Sequence, residues 1–358
     1  MKNSKIFSSV ALVICLTFIS FCFLPFFTSV HVTAAEPAQN TQQPLNQEYQ
    51  PLTVKFIDVG QGDSALLQCG DEAMLIDGGN PDDAQKLYSI LKTNEITKLK
   101  AIIITHAHED HCGSIAAALT AASAEIVYAP VDQDNSDVFT DITKKTAITI
   151  PEAGTTFTLG TATVEIIAPI SQYDDENNGS IVCKVTNGED TFLFTGDIER
   201  AAELDLLDKK IDLSADVLKV AHHGSNDSTS YIFLREIMPK YAVISCGKDN
   251  PYGHPHEEVL SRLNDAETIV YRTDQQGDIT AVSTGKGIEF KTQSAAENNE
   301  QTNVATQETT LQYIGNKNSK VFHISSCKTL PKEKNRVYLD SRQEAVEAGF
   351  RPCGNCQP

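Results

Sequence analysis

Hydrophobic and polar positions alternate over Leu52–Val59, and the short apolar runs Ser64–Gln68 and Met74–Asp77 follow between turn residues, which predicts three strands. Gly60-Gln61-Gly62-Asp63 and Gly78-Gly79 supply the turns that separate and end them. Pro81 opens a helix whose Leu87, Ile90 and Leu91 fall on one face. A strand over Lys100–Ile104, an Ala-rich helix over Ser114–Ala122 and a strand over Glu125–Tyr128 follow. From 148 to 195 the pattern is nearly all strand, with segments Phe157–Leu159, Thr163–Ile167, Ser180–Val185 and Thr191–Phe194 and turns at Gly160 and Asn187-Gly188. A helix over Arg200–Leu207 leads to the strand Asp216–Ala221, a helix near 229–237 and the strand Tyr241–Ser245. Strands near 268–272, 278–283 and 287–291 close the region. The order is α/β, and polar residues sit repeatedly at the C-terminal ends of strands. That is how an αββα sandwich builds a metal cleft.

The chain ends divide differently. Residues 1–35 read as an export signal: Lys2 and Lys5 start it, Ile6–Phe27 is mostly apolar, and Val32-Thr33-Ala34-Ala35 offers small residues for cleavage. If the segment is retained, it is an anchor on the outer face of the membrane. Residues 36–50 form a polar spacer, 51–291 the large domain, 292–312 a polar linker, and 313–358 a small module. The location expected is secreted or membrane-tethered.

Charge narrows the partners. The formal net charge is -19. The module carries eight Lys/Arg against four Asp/Glu, a local +4. The rest of the mature chain is therefore strongly acidic, which disfavours tight non-specific DNA binding but leaves a metal-lined cleft open to a phosphodiester. Cys69, Cys112, Cys183 and Cys246 are scattered singly, which is not a disulfide framework.

Thr105-His106-Ala107-His108-Glu109-Asp110-His111 directly follows the apolar run 101–104. Imidazoles and a carboxylate at the end of a buried strand need something to offset their desolvation, and a bound cation does that. Alternate spacing aims His106 and His108 the same way, while Asp110 and His111 turn toward a neighbouring position. This arrangement suits two cations side by side. Seven of the nine histidines fall in three strings, 106–111, 222–223 and 254–256, unlike histidines used as core filler.

The H-x-H-x-D-H string and the strand-terminal Thr195-Gly196-Asp197 resemble the metallo-β-lactamase superfamily. A closer resemblance is to the soluble hydrolase domain of ComEC-type DNA-uptake proteins. It rests on Phe56–Ser64, Ile76-Asp77-Gly78-Gly79, Asn177-Asn178-Gly179-Ser180, His222-His223-Gly224-Ser225 and Tyr252-Gly253-His254-Pro255-His256. The resemblance implies that His106 and His108 hold one metal with one of His222 and His223, with His222 the favoured ligand. Asp110, also counted as catalytic, and His111 then hold the other with His254, and Asp197 bridges. His223 is left to donate a proton or touch substrate. Asn178 and Ser180 are expected to donate hydrogen bonds to a phosphate, or else to form a turn. Asp77 is read as structural, Asp63 as orienting a ligand histidine, and His256 as a ligand or a supporting residue. Two divalent ions are implied, zinc or manganese.

His323-x3-Cys327 and Cys353-x2-Cys356 have the spacing of a closed structural zinc site, with a Cys353–Cys356 disulfide as the alternative. The module resembles the metal-binding domain of Ada-type DNA-repair proteins, with His323 standing where that family has a cysteine. Its positive charge suggests contact with nucleic acid or a cell-wall polymer; no obligate protein partner is expected. The function expected is dinuclear, metal-dependent cleavage of a phosphoester, with DNA or nucleotides as substrate. The alternatives are a phosphocholine ester or lactone, or a non-catalytic nucleic-acid or cell-surface binding protein.

Overall fold

The computed structural model describes residues 49–294, 313–324, 327–339, 342–353 and 356. The signal, most of the spacer and the linker from 295 onward lie outside the described residues. Two seven-stranded sheets face each other. The first is built from β1 (Leu52–Phe56), β2 (Ser64–Cys69), β3 (Glu72–Gly78), β4 (Ile102–Ile103) and β5 (Val127–Tyr128). The second contains β6 (Thr155–Leu159), β7 (Ala162–Ala168), β8 (Val182–Asn187), β9 (Asp190–Phe194), β10 (Val217–Lys219), β11 (Tyr241–Ile244) and β12 (Ile269–Arg272). β13 (Ile279–Ser283) and β14 (Ile288–Thr292) return to the first sheet beside β1, giving the orders β14-β13-β1-β2-β3-β4-β5 and β12-β11-β10-β9-β8-β7-β6.

Alternation decides which face each residue buries. Val54, Phe56, Leu67, Met74 and Ile76 of the first sheet meet Val164, Ile166, Cys183, Phe192 and Phe194 of the second, and Phe56 stacks on Phe194 with ring centroids 5.8 Å apart. Each such fully buried side chain contributes roughly 1.5–3 kcal/mol. The opposite face of the first sheet is covered by α1 (Ala84–Thr93), α2 (Glu109–Cys112), α3 (Ile115–Ala121) and α4 (Asp137–Thr143), through Leu87, Leu91, Cys112, Ile115, Phe139 and Ile142. The second sheet is covered by α5 (Arg200–Asp208), α6 (Tyr231–Ile237) and α7 (Glu257–Asp265), through Leu206, Phe233, Val259 and Leu263. This is the αββα sandwich. Helices α2, α4 and α7 go beyond the pattern-based expectation. α4 is short, and Ser136 caps it by accepting a hydrogen bond from the Phe139 N–H.

The polar strings follow from this topology. β9, β10 and β11 run parallel, so their C-terminal ends open on the same edge of the sandwich. β3, β4 and β5 are likewise parallel to one another. The segments after β4, β9, β10 and β11 therefore converge on one rim. Among the described residues, no helix is long and apolar enough to cross a membrane.

The C-terminal module is a four-stranded sheet, β17-β15-β16-β18, of β15 (Tyr313–Asn316), β16 (Val321–His323), β17 (Arg336–Leu339) and β18 (Arg351–Pro352) with helix α8 (Arg342–Glu347). Its apolar core is small: Tyr313, Phe322, Leu339, Ala345 and Phe350.

Candidate metal centre

Two glycines let the backbone close around the site. Gly62 has φ +143, and a Cβ there would lie 2.4 Å from the Asp110 carbonyl oxygen. Asp63 N–H donates to that same oxygen at 3.0 Å, which ties the first turn to the histidine string. Gly196 has φ +51 and packs against Ser180 and Thr105, which turns the chain so that Asp197 faces inward.

His111, Asp197, His223 and Asp63 are all buried and offer ligand atoms within 4.8 Å of one another. His111 Nε2 is 3.3 Å from Asp197 Oδ2, and His223 Nε2 is 3.4 Å from the same oxygen and 3.2 Å from Asp110 Oδ2. Beside them, His106 Nε2 and His108 Nδ1 converge at 2.9 Å. Among the described residues, His111 Nε2, His223 Nε2 and Asp197 Oδ1 are buried without a hydrogen-bond partner. Buried nitrogen and carboxylate atoms are rarely left so, and a cation satisfies them together. The donor set therefore fits divalent metal.

The surrounding charge is consistent with that fit. Burial alone would lower the His111 pKa, but the carboxylates of Asp197 and Asp77 hold it well above the usual imidazole range. His223 behaves likewise against Asp197 and Asp63. Burial works against the charge on Asp110, yet His223 and His111 keep its carboxyl well below the usual range.

Supporting residues fix the ligands. Asp77, itself at φ 57, accepts from Thr105 N–H at 2.7 Å and Thr105 Oγ1 at 2.8 Å, and its Oδ2 lies 2.9 Å from His111 Nδ1. It orients a ligand, so its role goes beyond the structural one read from sequence. Asp63 sits 3.4 Å from His223 Nδ1 and 2.6 Å from Lys219 Nζ. Sequence reasoning missed Lys219; its signal was a lone cation in the apolar run Val217-Leu218-Lys219-Val220.

Four expectations need correction. His223, not His222, occupies the buried ligand position, because both residues adopt left-handed backbone (φ 49 and 54) that turns successive side chains apart. His222 points toward the opening, with Nδ1 3.3 Å from Glu199 Oε1 and Nε2 3.8 Å from Asp197 Oδ2. His254 is not the partner of Asp110 and His111: it is half-buried at the mouth, with Nδ1 3.3 Å from Gln61 Nε2. Asn178 cannot reach a phosphate, because its Nδ2 donates to Asp175 and its Oδ1 accepts from the Glu199 and Ala202 N–H groups. Ser180 is fully buried, its Oγ accepting from the Asp197 N–H at 3.1 Å and lying 3.4 Å from His106 Nδ1. It holds the backbone of Asp197 in place. His256 turns away from the centre, its Nδ1 accepting from the Asn226 N–H at 3.0 Å.

A cleft of about 370 Å³ opens over the cluster, lined by Gln61, His108, Asp110, Asp197, His222 and His254 among others. Residues 57–248 match the model of the metallo-beta-lactamase superfamily. The chain belongs to that superfamily. The chain is also 31% identical over 63% of its length to ComE operon protein 3 of Bacillus subtilis, covering 32% of that protein. It is 29% identical to Competence protein ComA of Neisseria gonorrhoeae, over 62% of this chain and 30% of the relative. It is 28% identical to Recombination protein 2 of Haemophilus influenzae, over 63% and 28%. The chain thus spans about a third of the length of the curated relatives it matches. The metallo-beta-lactamase fold protein YhfI of Bacillus subtilis aligns at TM-score 0.44 and 17% identity, over 62% of this chain and 96% of that one.

Residues 301–358 match the metal binding domain of Ada. His323, Cys327, Cys353 and Cys356 bring ligand atoms within 4.8 Å of one another, with His323 Nδ1 3.3 Å from Cys327 Sγ. No disulfide forms among the described cysteines. Four N/S ligands gathered in this way fit zinc.

Proposed function

We propose that this chain hydrolyses phosphoester bonds with two divalent metal ions, acts outside the cytoplasm, and takes DNA or nucleotides as substrate. The observation that carries the reading is the convergence of His111 and His223 on Asp197 Oδ2, at 3.3 and 3.4 Å, beneath an open cleft. When bound there, divalent cations bring the pKa of water toward neutrality and draw charge from an ester oxygen. The zinc or manganese choice is left to ligand chemistry, which suits either.

The chain's own groups supply the rest. Asp197 is held by Ser180 and the Gly196 turn, so it presents a fixed carboxylate to both sides of the centre. Burial and the neighbouring imidazoles push His254 down to about 4, so it is neutral at pH 7 and able to accept a hydrogen bond from substrate. His222, beside Glu199 on the lining of the cleft, is the group assigned to deliver a proton to a leaving group. The basic module adds an anionic contact, to nucleic acid or cell-wall polymer, held in shape by its own zinc.

The test is hydrolysis of bis-p-nitrophenyl phosphate, a lactone and a β-lactam by metal-loaded protein, with Asp197→Ala in parallel. Phosphodiester turnover lost in the variant supports the reading. Turnover of the lactone alone, or of the β-lactam alone, rejects it.

A further inference from the structure

Beside the cleft over the metal centre lies a second and larger cavity, about 550 Å³, that no step so far uses. It is walled by three segments: Pro130–Asp134 after β5, Ile150, and Pro169–Glu176 after β7, with His106 and Ala107 at its inner end. His106 belongs to the converging pair described above, so a group in this cavity adjoins a reacting phosphorus. The volume is within the range of sites that bind small ligands, roughly 300–1,000 Å³.

The walls are apolar where they meet the interior. Val131 and Ile150 face it at 37% and 53% exposure, aliphatic surface left open at the edge of an acidic domain. Pro130 and Pro169 stiffen two sides, and the Tyr173 ring is fixed by its hydroxyl, which donates to Asp205 at 2.8 Å. The rim is acidic: Asp134, Asp174, Asp175 and Glu176. Asp175 is anchored by two bonds from Asn178, so its carboxylate is held at the rim by the fold. Neither this cavity nor the metal cleft has a Lys or Arg among the described residues that line it.

Proteins that follow a nucleic-acid strand do the opposite: they run a positive groove along the phosphates and stack bases on aromatics. Here a single phosphate finds its counter-charge at the metal centre. The next phosphate of a strand would meet this acidic rim, and like-charge repulsion is largely screened only beyond about one Debye length, roughly 8–10 Å. Resting on the phosphoester reading above, we infer that this cavity is a subsite for one flat, uncharged group of the substrate, a nucleobase or aryl ring, and that its rim excludes a second phosphate. The enzyme then acts on mononucleotide-sized esters in preference to polynucleotides.

The experiment compares kcat/KM of the metal-loaded full chain on bis-p-nitrophenyl phosphate, methyl p-nitrophenyl phosphate and a single-stranded 12-mer, with saturation-transfer NMR of phenylphosphonate as a binding readout. The bis-aryl ester should have a KM roughly tenfold below the methyl ester, the scale of one well-placed apolar group. The 12-mer should be the poorest substrate, and Asp174→Lys should raise its kcat/KM about tenfold, by replacing repulsion with attraction. Ile150→Asp should raise KM for the bis-aryl ester more than for the methyl ester and weaken saturation of the phenyl ring. A 12-mer cleaved as well as the bis-aryl ester, or an Ile150→Asp variant with unchanged KM ratio and ring saturation, overturns the subsite while the hydrolase reading stands. If no ester is turned over, the hydrolase reading fails. In that case ring saturation lost in Ile150→Asp keeps the cavity as a binding site, and absent saturation removes it too.

Discussion

Lys219 Nζ lies 2.6 Å from Asp63 Oδ2, and both side chains are almost wholly buried. Asp63 in turn stands 3.4 Å from His223 Nδ1, so Lys219 sets the charge behind that imidazole. Burial raises the Asp63 pKa, but Lys219 and His223 bring it below the ordinary value. Lys219→Met removes the partner and leaves a carboxylate buried beside Asp77, Asp110 and Asp197. Breaking one side of a buried pair costs about 3–5 kcal/mol. The expected outcome is a loss of that size in denaturant unfolding, with most of it regained in the double variant Lys219→Met/Asp63→Asn. A single variant as stable as wild type would remove Lys219 from the support of the centre.

The two adjacent histidines separate by burial. His223 is 1% exposed and meets both Asp110 and Asp197, whereas His222 opens onto the cleft. His223→Ala is expected to cut metal affinity of the large domain by more than about 100-fold, since even a supporting partner of a ligand is worth about 10–100-fold. His222→Ala should keep substantially more metal than His223→Ala while lowering kcat. Metal content by elemental analysis after dialysis distinguishes the two. Equal metal loss would mean that both imidazoles are ligands.

This pair marks where sequence reading stops. The αββα order was legible because a period of two over five to seven residues suits a half-buried strand and fits no helix face. The three histidine strings were legible because buried imidazoles crowd together where a cation offsets their desolvation, and not in ordinary core packing. Which of His222 and His223 turns inward was not legible, because it depends on two consecutive residues at positive φ. Asn178 misled for a related reason. An amide beside glycine suits a phosphate contact and a helix start equally well, and here its Oδ1 receives the first N–H groups around α5. Lys219 and the orienting role of Asp77 depend on contacts between segments far apart in sequence, as does the cavity beyond His106. Apart from the lone cation in the apolar run 217–220, no local pattern points to them.

Among its described residues the C-terminal module buries a cluster of five apolar side chains, too little to fold on apolar burial alone, so its stability rests on the four-ligand cluster. Chelation, or Cys353→Ser, is expected to unfold this module and leave the sandwich intact. Limited proteolysis should then cut within 313–358 while a fragment covering 49–294 persists. Calorimetry should lose one transition and keep the other. A module that resists proteolysis in the Cys353→Ser variant would show that its core suffices without metal.

Glu203 provides a pH test away from the metal centre. It is fully buried under α6, both carboxylate oxygens accept from the Ser230 N–H at 3.2 Å, and Arg200 reaches it only at 4.0 Å. Burial outweighs these partners and raises its pKa above the ordinary carboxylate value. A carboxyl raised in the folded state binds its proton more tightly there than in the unfolded chain. Its contribution to stability is therefore fully present below the unfolded pKa and is lost as pH rises through the folded one. Glu203→Gln keeps an acceptor for Ser230 and has no proton to lose. The Tm of the variant relative to wild type should therefore rise between pH 4 and pH 7.5, at fixed ionic strength and with metal-loaded protein in both arms. A Tm difference that stays constant, or falls, over that range would mean that the Ser230 and Arg200 contacts stabilise the ionised carboxylate more than burial penalises it.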